Sequence, residues 1–100
     1  MPPYAPTLLD ARVSVPQHVV HRSFAAETVV LNLETGRYHG LNHSAGRMLV
    51  ALERHGAVRA AAAEVAAEFD RPVDEIERDL CELCGQLSER GLLEVDDGED

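Results

Sequence analysis

Two cysteines and five histidines are the residues of this 100-residue chain with the most obvious chemistry. Cys81 and Cys84 stand three apart, which is the spacing of many metal and redox motifs. A structural zinc site, however, needs four converging ligands, and the sequence has no second cysteine pair and no spaced histidine pair after the first. A redox pair needs a helix N-terminus, whereas this pair lies inside a helical pattern beside Asp79 and Glu82. We therefore interpret both cysteines as small apolar residues and expect no metal and no cofactor.

Catalytic motifs are also missing from the sequence. There is no GxSxG elbow, no glycine-rich phosphate loop and no histidine with an evident acidic partner. Scattered serines such as Ser44 and Ser88 are typical of helix caps and surfaces rather than of nucleophiles. The sequence therefore predicts a protein that is not an enzyme.

Charge is distributed unevenly along the chain. From Glu64 onward there are 14 acids and 3 arginines, a net charge of −11, whereas the part before Glu64 carries +2, and the whole chain carries −9. Such acidity disfavours contact with the phosphate backbone of a nucleic acid. It fits a basic or mixed-charge peptide, although an acidic surface also serves solubility.

The length corresponds to one small domain. Residues 1–11 contain three prolines and no periodicity, so we predict a flexible arm there, then a domain over 12–95 and a disordered acidic tail over 96–100. A membrane-spanning helix needs about 18 consecutive apolar residues. The sequence has no such run. The N-terminus also lacks the basic and apolar regions of a secretory signal. We expect a cytoplasmic protein.

The first half of the chain has the pattern of a β-sheet. β-Branched residues predict strands over 18–24 and 28–33, and Glu34-Thr35-Gly36 predicts a three-residue hairpin loop in which Gly36 takes a positive φ. A third strand, 37–42, then lies at the edge of an antiparallel meander. Gly40 within this edge strand is unexpected, because glycine weakens the interior of a strand.

The second half has the pattern of three helices. Ser44 is the predicted N-cap of the first helix and Gly56 its end, and an alanine-rich second helix covers 58–69. Asp74 begins a capping-box spacing for a third helix that ends at Gly91. The apolar stripe of this third helix recurs at i, i+4, i+7 and i+11 and comprises Ile76, Leu80, Leu83 and Leu87. A three-stranded antiparallel meander followed by three helices predicts an α+β fold of the winged helix-turn-helix type.

Two kinds of binding suit such a fold. A winged helix can place its third helix in the major groove of DNA, but this helix has six acids and two arginines between Val73 and Arg90, which a polyanion repels. An exposed edge strand can instead pair with an extended peptide. Gly40 then gives clearance for a second backbone or a bulky side chain, unless it only makes room for a packing helix. A groove between the edge strand and the third helix would have an apolar floor and at least one acidic rim. Periodicity alone does not tell whether the flank with Asp79 and Gln86 or the flank with Cys81 and Cys84 faces this groove.

The ordered combination of these segments resembles the PqqD-like peptide-recognition domains of modified-peptide biosynthesis. The resemblance is carried by the strand and turn "LNLETGRYHGLN" at 31–42, by the small residues "SAG" at 44–46, and by the closing-helix pattern from Asp79 to Leu93. It covers residues 18–95. The chain is most similar to the freestanding leader-binding half of a split lasso-peptide maturation protein.

The resemblance implies a non-catalytic domain that binds the leader region of a ribosomal precursor peptide. The leader would add as a strand to the edge strand 37–42 and lie against the helix 75–90. The residues that this implies for peptide binding are the strand positions Arg37, Tyr38, His39, Gly40, Leu41 and Asn42, the pocket residues Ile76, Leu80, Leu83 and Cys84, and the acid Asp79, which would meet a leader lysine or arginine.

The implied partners are the precursor leader, a separate transglutaminase-like cysteine protease and the lasso cyclase, with no nucleic acid and no membrane. A PqqD-type peptide chaperone for a radical enzyme and a DNA-binding winged helix are the alternatives.

Overall fold

Two small sheets and three helices make up most of residues 8–96, the part of the chain that this computed structural model describes. The elements in chain order are β1 (Arg12–Ser14), β2 (Val19–Ser23), β3 (Glu27–Asn32), β4 (Tyr38–Asn42), α1 (His43–His55), α2 (Val58–Phe69), α3 (Val73–Glu89) and β5 (Glu94–Asp96). The predicted α+β fold, a meander followed by three helices, is confirmed. Within this range no helix has the length and apolarity needed to cross a bilayer.

The three-stranded sheet has the order β2-β3-β4 and is antiparallel throughout. Its second hairpin closes where the Asn32 N–H donates to the Arg37 carbonyl at 2.8 Å and the Gly36 N–H donates to the Asn32 carbonyl at 2.8 Å. The loop therefore has four residues, 33–36, rather than the three predicted. The Asn32 side chain selects this loop because its Oδ1 accepts the Glu34 N–H at 2.9 Å. Gly36 takes the predicted positive φ, at 76°.

Helix α1 packs closely on the inner face of this sheet. Its contact residue is Gly46, where a Cβ atom would lie 2.8 Å from the Cβ of Thr28 on β3. Thr28 is 3% exposed, and Val30 beside it is fully buried. The small residue at position 46 therefore sets how near the helix axis comes to the sheet.

The three helices enclose one hydrophobic core with the inner face of the sheet. The predicted α3 stripe is confirmed, since all of its members are buried: Ile76, Leu80, Leu83 and Leu87. The largest fully buried side chains elsewhere in the core are Val30, Leu49, Leu52, Val58, Val65 and Leu92.

The ends of the helices differ from the prediction at two N-termini. The N-cap of α1 is Asn42, whose Oδ1 accepts the Ala45 N–H at 2.8 Å, and not Ser44. Helix α3 begins after Pro72 without a side-chain cap, so Asp74 lies in its first turn and forms no capping box. Pro72 is itself the N-cap residue, with φ −58°, and it has no side-chain oxygen that could accept a hydrogen bond from the first turn. Gly56 ends α1 with φ 66°, as predicted.

A second, two-stranded sheet joins the two ends of the described chain. β1 pairs antiparallel with β5, with Val13 opposite Val95. Just before β1, Leu8 and Ala11 are 8% and 1% exposed and belong to the core, which corrects the prediction of a flexible arm for 8–11. Residues 1–7 of that arm, and 97–100 of the predicted tail, lie outside the described residues.

Candidate functional site

β4 is an open edge of the three-stranded sheet in the described part of the chain. The Arg37 carbonyl accepts a hydrogen bond from Asn32 of β3. Residues that bond to the neighbouring strand alternate along an antiparallel strand. The backbone N–H and C=O groups of His39 and Leu41 therefore also point toward β3. The N–H and C=O groups of Tyr38 and Gly40 consequently point to the opposite side of β4, where the described sheet has no neighbouring strand. The edge therefore offers the backbone groups of two alternate residues for main-chain pairing with an extended peptide.

Gly40 leaves open space on the outer face of the sheet. It lies opposite Val29, and a Cβ atom at position 40 would meet only the Glu27 Oε1, at the ordinary contact distance of 3.6 Å. Helix α1 packs on the opposite face, where Gly46 makes the room it needs. The alternative in which Gly40 serves helix packing is therefore wrong, and the space beside Gly40 is free for another molecule.

A groove lies between the end of β4, the start of α1 and the outer side of α3. Its volume is about 240 Å³. The lining residues are Asn42, Ser44, Ala45 and Met48 on one wall and Asp79, Glu82, Leu83 and Gln86 on the other. Met48 and Leu83 are 5% and 8% exposed and form an apolar floor between polar rims. The groove adjoins the open edge, because Asn42 belongs to both.

The structure decides which flank of α3 faces this groove. Periodicity alone left two flanks, one acidic and one carrying the cysteines. The acidic flank, with Asp79, Glu82 and Gln86, lines the groove, whereas Cys81 and Cys84 are 5% and 0% exposed and lie in the core. Glu82 and Met48 are groove residues that were not predicted from the sequence. Glu82 lies three residues after Asp79, and this spacing places both side chains on one face of a helix. The spacing was therefore the sequence signal that could have indicated Glu82 as a groove residue.

Charge on the acidic rim is only partly neutralised. The Arg71 guanidinium donates to Glu75 and lies 3.9 Å from the Asp79 Oδ2. The hydrogen bond to Glu75, and then the charges of both acids, raise the pKa of Arg71. Glu82 is exposed and has no basic partner within 4 Å in residues 8–96. The rim therefore keeps a negative charge that a cationic side chain in the groove would meet.

Three of the predicted pocket residues belong to the core. Ile76, Leu80 and Cys84 have no exposed surface. This corrects the expectation that their side chains contact a peptide, because a helical stripe that is buried in the core against α2 cannot also line a groove on another side of the helix. Their side chains instead anchor α3 to the core. Leu83 is the member of the predicted pocket set that reaches the groove.

Cys84 is placed for packing and not for thiol chemistry. Burial raises the pKa of its thiol to about 12, so the nucleophilic thiolate is disfavoured at neutral pH. The two cysteines do not form a disulfide with each other. Among residues 8–96, no group of three or more histidine, cysteine, aspartate and glutamate side chains has the proximity to hold a metal ion.

Two histidines form hydrogen bonds with acids that the sequence did not reveal. The Nε2 of His21 lies 2.8 Å from the Glu53 Oε1, and the Nε2 of His55 lies 2.5 Å from the Glu64 Oε1. These partners come from different secondary-structure elements, so sequence neighbourhood gave no signal. Both pairs are outside the groove and tie elements of the fold together.

Comparison with known proteins agrees with this architecture. Residues 27–93 match the family described as Coenzyme PQQ synthesis protein D (PqqD). The chain belongs to the PqqD family. The matched range begins with β3 and includes β4, the groove and all three helices. No curated protein matches the chain significantly.

Two solved structures share the PqqD-type fold of this chain. One is TbiB1 in complex with the TbiA(beta) leader peptide, with a TM-score of 0.74, 29% identity, and coverage of 87% of this chain and 98% of that one. The other is a lasso peptide synthetase B1 complexed with the leader peptide, with a TM-score of 0.72, 20% identity, and coverage of 83% and 98%. The resemblance stated from the sequence is thereby confirmed.

Proposed function

We propose that this PqqD-family chain binds the leader region of a ribosomal precursor peptide, of the lasso class, as an added strand on β4. The observation that carries the proposal is the open edge at Tyr38 and Gly40, which runs into the groove beneath α3. The complex of TbiB1 with a leader peptide, at 29% identity over nearly the whole of both chains, supports it.

Binding would combine generic main-chain pairing with selective side-chain contacts. Tyr38 and Gly40 offer about four outward backbone groups for an antiparallel or parallel partner strand. Peptide side chains that point to the inner side of the extended sheet reach the groove, where Met48 and Leu83 accept an apolar residue. A lysine or arginine near it would meet Asp79 and Glu82. Alternate peptide residues on the outer side lie beside the space at Gly40.

The chain would act without chemistry of its own. The thiol of Cys84 is buried, and within residues 8–96 the Ser44 hydroxyl of the groove has no hydrogen bond to Asp79 or Glu82 that would activate it. Delivery of the captured leader to a separate transglutaminase-like cysteine protease and a cyclase in the cytoplasm completes the proposed role. A disordered leader loses conformational entropy on binding, so affinity between micromolar and nanomolar is consistent with a groove of this size.

A peptide chaperone for a radical enzyme is the second candidate, because the family is described by its member in PQQ synthesis. Both roles use peptide capture, and the identity of the peptide separates them. Binding to the leader of a lasso precursor from the same gene cluster supports the first role, and binding only to a quinone-cofactor precursor supports the second.

The first experiment is a fluorescence-anisotropy titration of a labelled leader peptide with the full chain. Gly40→Pro should weaken leader binding by about tenfold or more. The substitution removes an outward N–H of β4 and places the proline ring where the backbone of the leader strand would lie. It should leave the fold intact, because proline is tolerated on edge strands where the lost N–H is not part of the ladder.

Gly40→Ala is the matched control. Its Cβ meets only an ordinary contact, so affinity should stay within about twofold of the parent chain. Absence of any binding at tens of micromolar peptide, or equal affinity for Gly40→Pro and the parent, would refute strand addition at β4. Retention on duplex DNA at low salt would instead favour the winged-helix alternative.

A further inference from the structure

The outer face of the three-stranded sheet carries a carboxylate close to the open edge. Burial alternates along β3, with Thr28 and Val30 in the core, so the side chains of Glu27 and Val29 project to the outer face. Val29 pairs with Gly40 of β4 in the strand register. Glu27 is therefore an outer-face neighbour of the residue that lies opposite Gly40.

The Glu27 side chain turns toward Gly40. Its Oε1 lies 3.6 Å from the position that a Cβ atom at residue 40 would occupy, and in the described chain it is the only non-neighbouring atom within 4 Å of that position. Glu27 pairs with Asn42, two residues further along β4, so its carboxylate reaches diagonally over the edge strand. A side chain at position 40 would stand between this carboxylate and the open edge. Glycine at position 40 therefore leaves the carboxylate accessible to a strand that pairs with β4.

The charge of Glu27 is not neutralised within the described part of the chain. No arginine or histidine nitrogen lies within 4 Å of its carboxylate in residues 8–96. Arg22 of β2 is on the same face, opposite Val29, and does not form an ion pair with Glu27. A strand added to β4 would shield the carboxylate from water, and a shielded charge needs an opposite charge beside it. The added strand would therefore be selected for a cationic side chain at this point.

A side chain of the added strand can reach the Glu27 carboxylate. Neighbouring strands lie about 4.8 Å apart, so the Cβ of a leader residue opposite Gly40 lies about that far from the position of a Cβ at residue 40. Lysine and arginine side chains are long enough to extend from there to the carboxylate. Tyr38, which is 74% exposed, is two residues before Gly40 on the same face and offers an aromatic ring beside the same position.

We propose that Glu27 is a specificity-determining residue of the leader site and forms an ion pair with an outward-facing lysine or arginine of the leader, across the clearance at Gly40. This inference rests on the proposed leader-binding function and names a leader residue that the site selects. The acids Asp79 and Glu82 line the groove on the inner side of the sheet. Side chains alternate between the two faces along a strand, so the leader residue that meets Glu27 and any leader residue that meets Asp79 or Glu82 differ in position by an odd number.

The experiment titrates the full chain against a labelled synthetic leader of the precursor encoded in the same gene cluster, by fluorescence anisotropy. Glu27→Gln should lower leader affinity about threefold to tenfold, and the loss should shrink as the salt concentration rises. The matched control Glu94→Gln removes the same charge from an exposed position on β5 and should keep leader affinity within about twofold. Both variants should keep the thermal midpoint of the parent within about 2 °C, because both side chains are exposed.

Substitutions in the leader identify the residue that Glu27 meets. Each lysine and arginine of the leader is replaced singly by glutamine. One replacement should cost about as much affinity in the parent chain as Glu27→Gln does, and less than about twofold in the Glu27→Gln variant, because the two members of a pair are not additive. Glu27→Lys combined with glutamate at that leader position should bind about threefold or more tightly than either change alone.

A substitution at position 40 tests the role of the clearance. Gly40→Val places a branched side chain between the Glu27 carboxylate and the leader strand. In the Gly40→Val background, Glu27→Gln should therefore change leader affinity by less than about twofold. A full effect of Glu27→Gln in that background would show that the carboxylate does not act across Gly40.

Several outcomes would overturn the inference. Unchanged leader affinity in Glu27→Gln, with tight binding by the parent chain, would exclude Glu27 from recognition and leave strand addition at β4 intact. Equal losses in Glu27→Gln and Glu94→Gln would assign the effect to net charge. A loss in Glu27→Gln that couples to no lysine or arginine of the leader, or tight binding of a leader that has neither residue, would contradict the ion pair. A parent chain that binds no leader would instead remove the proposed function, on which the ion pair depends.

Discussion

At the scale of single residues, Gly40 and Gly46 have different tasks on opposite faces of one sheet. Gly46 lets α1 approach β3, where a Cβ would lie 2.8 Å from the Cβ of Thr28. Gly40 leaves the outer side of β4 open, and a Cβ there would make one ordinary contact. Gly46 therefore serves the close packing of helix on sheet, whereas Gly40 leaves a surface open for binding.

Replacement of Gly46 by alanine should destabilise the fold. The overlap with Thr28 forces helix and sheet apart, and this cost exceeds the gain in helix propensity, giving a net loss of about 1–2 kcal/mol. Urea denaturation of the parent and of Gly46→Ala measures the difference. Thr28→Ala should recover part of the loss in the double variant, because it removes the side chain that the new methyl meets.

Gly85 in α3 provides the control for that substitution. Nothing lies within 4 Å of the position a Cβ would occupy there. Gly85→Ala should therefore raise stability by about 0.5–1 kcal/mol through helix propensity alone. Equal effects of alanine at positions 46 and 85 would contradict the packing argument.

The buried thiol of Cys84 should make stability depend on pH. Burial raises its pKa from the ordinary 9.0 to about 12. Between these values the unfolded chain loses the proton and the folded chain keeps it, so this contribution is fully present below pH 9 and is lost as pH rises toward 12. Stability should fall by about 1.4 kcal/mol per pH unit at most.

Urea unfolding at pH 8 and pH 10 isolates this effect. The stability advantage of the parent over Cys84→Ala should shrink by about 1 kcal/mol between the two pH values, because alanine has no proton to lose. Val65→Ala removes buried volume without a thiol and should keep a constant difference from the parent. A constant difference for Cys84→Ala would show that the thiol does not titrate as described.

At the scale of elements, α3 has two sides with separate roles. Its apolar stripe, with Ile76, Leu80 and Leu87 fully buried, holds the core together. Its acidic flank forms one wall of the groove beside β4. The apolar side thus positions the helix in the core, and the acidic side is the one that the proposed leader site uses.

Removal of the acidic rim should weaken leader binding. The Asp79→Asn/Glu82→Gln variant should bind the leader with about threefold to tenfold lower affinity. The loss should come mainly from a slower association rate, and that rate should depend less on salt concentration than it does in the parent chain. Stopped-flow association at two salt concentrations provides the measurement. Asp74→Asn/Glu89→Gln removes the same charge from exposed α3 positions outside the groove, and equal losses in both variants would point to net charge instead of the rim.

At the scale of the whole molecule, the β1–β5 sheet fastens the beginning of the described chain to its end. Val13 is 6% exposed and pairs with Val95, and its N–H donates to the Gly56 carbonyl at 3.0 Å. The sheet therefore connects the chain ends to the junction of α1 and α2. Loss of either strand should loosen that junction.

A chain that ends at Leu93 tests this connection. Without β5, the thermal midpoint should fall by about 5 °C or more, since Val13 loses its paired strand. A chain that ends at Asp96 keeps every described strand pair and serves as the control, with an expected change of less than about 2 °C. Leader affinity at low temperature should persist in both, because β4 and the groove are elsewhere. Equal midpoints for the two chains would show that β5 adds little.

Local pattern alone determined the strands of the meander, the three helices and the α3 core stripe, because side-chain periodicity and turn chemistry are short-range properties of the sequence. It also placed Gly40 on an edge strand. Short-range rules failed at the four-residue loop and at the N-cap of α1, where the Asn32 and Asn42 side chains select among local alternatives of similar energy.

Only the tertiary structure decided which flank of α3 faces the groove and which face of β4 Gly40 leaves open. Both depend on how helices and sheet pack against each other, and that is fixed by long-range contacts such as Gly46 on Thr28. The pairing of β1 with β5 is of the same kind, since it joins three-residue strands separated by the whole domain. The sequence alone thus indicated that an edge strand and a helix bind a peptide, and packing determined which of their surfaces are accessible to it.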